Sequence, residues 1–113
     1  MSEAGYRAAA ERLLAGIEAT VDRLLQEGIV DIDASRTGGL LELSLPDASK
    51  IVVNAQPPLQ EIWLAARAGG FHFKHVEGRW LDTREHREFF ATLSACASEQ
   101  AGQALDFQGR DPG

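Results

Sequence analysis

Glu11, Glu18 and Asp22 stand at i, i+7 and i+11 in the first third of the chain. On a helix turning about 100° per residue, their directions fall within about 40° of one another. Glu27 closes the same stretch. Asp31 and Asp33 share a parity, so a strand would turn both to one side. If that strand is the sheet edge beside the helix, these carboxylates form one continuous negative strip. Like charges so spaced repel, and nothing about folding requires them. Exposed oxygen ligands suit hard cations or a basic protein surface. No side-chain cage is apparent, so metal held there is expected to be weakly bound, multi-site and poorly selected. The plain alternative is a solvated face that keeps the chain soluble.

A second constellation is Asn54-x-Gln56-x-Pro58 followed by Ile62-Trp63-Leu64. If Ile62 and Leu64 face the core, alternation turns Trp63 outward beside two amides, a pattern typical of binding hot spots. The pattern alone leaves open the reverse, with Trp63 buried and a neighbour exposed. The histidines offer less. His72 and His75 are three apart on a strand and point to opposite faces, and His86 sits near a helix start, a poor place for a cation. Cys96 lies in an apolar helical face and reads as packing. There is no P-loop, dinucleotide fingerprint, CxxC or spaced catalytic triad.

These residues need elements to hold them. Residues 4–27 read as an amphipathic helix, with Tyr6, Ala10, Leu13, Leu14, Ile17, Val21 and Leu24 at three- and four-residue steps and Gly28 as its stop. Period two then appears over 29–35, 40–45 and 50–56, separated by turns at Thr37-Gly38-Gly39 and Pro46-Asp47-Ala48-Ser49. Pro57-Pro58 stops the third strand. Further strands are expected at 61–65, at 71–74 after a Gly69-Gly70 turn, and at 79–82 after Gly78. Residues 86–101 return to helical period, with Thr83 as candidate N-cap and Gly102 as stop. Residues 104–107 form a short extended segment, and 108–113 are expected to be a disordered tail. The order helix, strands, helix predicts an α+β two-layer sandwich, both helices on one face of an antiparallel sheet and the other face open to solvent, as one domain over 1–107.

The 113 residues are 44% hydrophobic and 25% charged, with a formal net charge of −6. That charge disfavours nucleic acid and anionic membranes. It is uneven: residues 1–35 hold seven acids and three bases. No apolar run approaches the roughly 18 residues of a membrane span. With no secretory leader apparent and a single cysteine, a reducing cytoplasmic setting is expected.

The run Asn54-Ala55-Gln56-Pro57-Pro58-Leu59-Gln60-Glu61-Ile62-Trp63-Leu64-Ala65, then Gly69-Gly70-Phe71-His72-Phe73 and Trp80, resembles the signature of the frataxin family, its bacterial branch most closely. Ile17-Glu18, Asp31-Ile32-Asp33 and Gly38-Gly39 match that family's arrangement too, and the similarity runs from about Tyr6 to Phe107. The resemblance implies two helices over a five- to seven-stranded antiparallel sheet. It implies weak binding of iron, ferrous or ferric, on a ridge formed here by Glu18, Asp22, Asp31 and Asp33, with Glu11 and Glu27 as weaker members. It implies docking of that ridge onto the cysteine desulfurase of iron–sulfur cluster assembly. The sheet surface around Asn54, Gln56 and Trp63 is implied as a contact for the desulfurase–scaffold complex, which turns Trp63 outward. A chain that is monomeric without iron is expected.

Four departures thin the ridge. Ala19, Arg23 and Ser35 stand where relatives commonly carry acids, and the segment 24–30 has a single acid, Glu27. Fewer or weaker iron sites are therefore expected, with the docking role less affected. Three functions are then distinguished: a regulatory adaptor of cluster assembly, an iron chaperone or store, and a ferroxidase. The last normally needs a preorganised ligand set, and the sequence offers no buried Glu/His cluster for one.

Overall fold

The computed structural model describes residues 1–109, so most of the expected disordered tail, residues 110–113, lies outside the described residues. Helix α1 spans Glu3–Gln26. Ser2 caps it, its hydroxyl accepting from the Gly5 N–H at 2.9 Å. Its far end is a Schellman turn: Gly28 adopts φ +68°, and the N–H groups of Ile29 and Gly28 return to the carbonyls of Leu24 and Leu25. A residue with a Cβ would be strained there, so the glycine sets where the helix stops. The predicted apolar stripe is buried along its whole length, from Tyr6 to Leu24.

Six strands follow in one antiparallel meander, in sequence order: β1 Asp33–Thr37, β2 Leu40–Ser44, β3 Lys50–Gln56, β4 Glu61–Ala66, β5 Gly69–Val76 and β6 Arg79–Asp82. The predicted α+β sandwich is thus present, with six strands. Four local expectations are corrected. The first strand begins at Asp33 rather than 29, because the next β2 position that could bond to it is Pro46, which has no N–H to give. Pro57-Pro58 does not merely end β3 but forms a 3₁₀ turn over Pro57–Leu59. The fourth turn is Arg67-Ala68, not Gly69-Gly70, which open β5 with Gly69 at φ +147°. The last helix, α2, spans Phe89–Ala101, and its N-cap is Glu88 rather than Thr83. Both Glu88 oxygens accept N–H groups, from Phe90 and Ala91.

The Thr83 expectation fails because Asp82 organises the intervening loop. Its carboxylate accepts backbone N–H groups of Arg84, Glu85 and Arg87 at 2.7–2.9 Å. The loop then pairs back on β6 through a Leu81–Glu88 bridge, covering that margin of the sheet. The opposite margin is β1.

Both helices lie on one face of the sheet. Leu41, Leu43, Ile51, Val53, Ile62, Leu64 and Phe73 rise from the strands to meet Leu13, Ile17, Phe89 and Leu93. The Tyr6 hydroxyl donates to the Glu61 carbonyl at 2.7 Å, tying α1 to β4. Gln100 of α2 is buried and clips two hairpin ends together: it accepts from the Arg67 N–H and donates to Ser49 Oγ and the Lys50 carbonyl. The segment after α2 joins no strand. Ser98 and Ser94 each exchange two hydrogen bonds with it, at Leu105 and Phe107, whose side chains are buried. No helix among the described residues is long and apolar enough to cross a membrane.

Candidate functional site

Two exposed regions carry the residues singled out by sequence. The first is the edge formed by α1, the loop after it and β1. Glu11, Asp22, Glu27, Asp31 and Asp33 are exposed, and Glu18 is half-buried. Strand β1 lies beside α1, but its alternation divides the charges. Asp33, Ser35 and Thr37 pair with Ser44, Glu42 and Leu40 on the solvent face of the sheet. Arg36 falls on the helix-facing side and reaches α1. There its Nη1 donates to Glu18 Oε1 at 2.8 Å and its Nη2 to Glu11 Oε1. Its side chain keeps only 22% of its accessible surface. The Glu11 carboxylate foremost, against the cost of burial and with Glu18 adding to it, makes the guanidinium hold its proton more tightly than usual.

The structure therefore brings Glu11 and Glu18 together, on one arginine. Glu27 pairs with Arg23 at 3.2 Å, one helical turn back. Among the described residues Asp22, Asp31 and Asp33 have no ion-pair partner. No three His, Cys, Asp or Glu side chains among the described residues converge as a metal site. The edge can attract positive charge and offer single carboxylates to it. It does not present a preformed cage. Arg36 escaped the sequence reading, although its parity opposite Asp33 and Ser35 was the available signal.

The second region is the solvent face of the sheet. Leu40, Asn54, Trp63 and His72 form one cross-strand row over β2 to β5. Trp63 is turned outward and half-buried, and its indole stacks on the His72 ring with centroids 4.3 Å apart and planes 8° from parallel. Its Nε1–H donates to Glu61 Oε1 at 2.8 Å. Lys74 Nζ lies 3.2 Å from the other Glu61 oxygen. Glu61 is only 8% exposed. The Trp63 N–H, with Lys74 and the nearby His72, outweighs burial and holds its carboxyl below the usual carboxylate range. Gln56 pairs with Glu61 across β3–β4, and Asn54 with Trp63. The result is an aromatic plate whose indole N–H is already engaged, rimmed by amides and an exposed Leu40. Glu61, His72 and Lys74 were missed because their meeting depends on the Arg67-Ala68 turn. A turn at Gly69-Gly70 would have set Val76, not His72, opposite Trp63.

The frataxin-like domain model matches residues 1–103. Among curated relatives, the iron–sulfur cluster assembly protein CyaY of Polaromonas sp. strain JS666 is 49% identical over 112 residues, covering 99% of this chain and 97% of that protein. The CyaY of Burkholderia mallei is 48% identical over 107 residues, 95% and 98% of the two chains. Among solved structures, frataxin from Psychromonas ingrahamii, of the CyaY protein family, superposes with a TM-score of 0.83 at 31% identity, covering 96% of this chain and 99% of that one. Trimeric frataxin from Saccharomyces cerevisiae, complexed with ferrous iron, gives 0.72 at 23% identity over 84% and 87% of the chains, a likeness of fold.

Proposed function

This chain belongs to the frataxin-like family, and on that premise we propose that it serves iron–sulfur cluster assembly as an adaptor. It docks on a cysteine desulfurase through the acidic edge and on the accompanying scaffold through the Trp63 plate, and it holds iron weakly on the same edge. The observation that carries this reading is the exposed Trp63–His72 stack. An outward tryptophan fixed by a buried carboxylate loses little side-chain entropy on binding and presents a large amphipathic surface.

The charges divide the labour. Asp22, Asp31 and Asp33, being unpaired among the described residues, carry the attraction for iron and for a basic partner surface. Glu11, Glu18 and Glu27 are partly satisfied by Arg36 and Arg23 and contribute less. Such rim charges act mainly on association rate and salt sensitivity, whereas the plate acts on dissociation. The test is a titration of the chain against a desulfurase alone and a desulfurase–scaffold complex at low and high salt. Asp22→Asn, Asp31→Asn and Asp33→Asn together should slow association and flatten its salt dependence. Trp63→Ala should weaken binding to the scaffold complex alone by about 2 kcal/mol, roughly thirtyfold. Absence of binding at low salt would overturn the adaptor reading. Undiminished iron uptake by the triple Asp variant would overturn the assignment of iron to this edge.

A further inference from the structure

A crevice of about 490 Å³ opens between the N-terminal half of α1, the β5–β6 hairpin, α2 and the segment after α2. Its floor is apolar: Leu13, Trp80 and Phe107 are buried, and half-buried Phe90 forms a wall. Arg12, Arg79 and His75 line it too. The His75 ring stands edge-on to Trp80, centroids 5.0 Å apart. In a chain of net charge −6 this is an unusual gathering. Among the described residues no carboxylate lies within ion-pair distance of Arg12, Arg79 or His75. Two acids do line the crevice, but both are engaged: Glu88 caps α2 with both oxygens, and Asp106 accepts from the Gln108 amide.

We propose that this crevice binds a small amphipathic anion, its charged head between Arg12 and Arg79 and its hydrocarbon or aromatic body on Leu13, Trp80 and Phe90. The volume lies within the range of small-molecule sites, and the mix of apolar walls with a few convergent polar groups is their usual make-up. Burial first, then the Arg12 charge and the N-terminal ammonium, hold the His75 imidazole below its usual pKa. A neutral imidazole there can still hydrogen-bond the head group. The site is separate from the acidic edge and from the Trp63 plate, so its fate does not depend on the adaptor reading.

The experiment is an amide and indole NMR titration of the full chain with decanoate and with decyl phosphate, both below micelle formation. Acetate, inorganic phosphate and decanol serve as controls. Expected are saturable shifts centred on the Trp80 indole, His75 and Phe90, with the tighter of the two amphiphiles naming the head group. Each control should bind at least about tenfold more weakly, the loss of about one charge-assisted hydrogen bond or of the apolar body. Arg12→Gln and Arg79→Gln, both at exposed positions, should each weaken binding about tenfold with Tm unchanged. Shifts that do not saturate, shifts centred on Trp63, decanol binding as tightly as decanoate, or both arginine variants binding like the parent would each overturn the proposal.

Discussion

Replacing Arg36 with glutamine removes the cation that ties Glu11 and Glu18, and Coulomb's law sets the size of the result. The formal charge becomes one unit more negative than the present −6. Two carboxylates, now 37% and 61% exposed at the side chain, lose their shared partner. A unit charge about 5 Å from a second one in water contributes about 0.8 kcal/mol, so removing the repulsion on a divalent cation at that distance is worth about 1.7 kcal/mol. Screening at physiological salt roughly halves this. Ferrous iron should therefore bind Arg36→Gln about fivefold more tightly at physiological salt and more than tenfold more tightly at low salt. The two lost ion pairs, partly exposed, should cost about 1 kcal/mol of stability, a fall in Tm of about 4 °C. Anaerobic calorimetric titration at two salt concentrations, with a thermal melt of each protein, reads both quantities. Arg36→Lys keeps the charge without the fork and should bind iron like the parent. Unchanged or weaker iron binding by Arg36→Gln at both salts, beside the expected fall in Tm, would refute the idea that Arg36 competes with cations for this edge.

Other perturbations act on the scaffold that holds these surfaces. Asp82→Ala leaves three loop N–H groups without their acceptor, so Tm should fall by about 10 °C, equivalent to about 3 kcal/mol. Gln100→Ala breaks three hydrogen bonds that join two hairpin ends to α2 and should cost about 2 kcal/mol, read in urea unfolding as a lower midpoint at constant slope. The carboxyls of Asp82, Glu61 and Asp47 all ionise more readily in the folded state, Asp47 at about 2 through Ser49 and Arg67. A lowered folded pKa gives stability that is full above the unfolded value and lost as pH falls through the folded one. Stability should therefore drop as pH is lowered from about 4 toward 2, and Asp82→Asn should flatten that drop in acid-unfolding curves.

The sheet and helices were legible because their signals were long and periodic. The stripe from Tyr6 to Leu24 and the alternation over 40–56 admit one reading each, and the buried set follows it. The places that misled were set by single residues that no periodic pattern reveals. Asp82 defers the start of α2, and Pro46, with no N–H to give, ends the ladder that β1 would extend. The Arg67-Ala68 turn, which a pair of glycines two residues later disguised, fixes which residue stacks on Trp63. At the acidic edge, sequence supplied the carboxylates but not their counter-charge. Arg36 looks like one more residue of a polar strand until the fold lays β1 along α1.

A meander has two margins, and here they are guarded differently. The β6 side is covered by its own loop, whereas β1 leaves a row of backbone groups open to any passing strand. Five residues containing Asp33 and Arg36, with Asp31 just before, make that row an unwelcoming template, since a second chain would have to strip water from those charges to pair there. The acids thus guard the sheet margin, besides the cation attraction proposed for them. Charge-silenced variants such as Asp31→Asn with Asp33→Asn trade away part of that guard, so their sedimentation should be followed alongside their affinity.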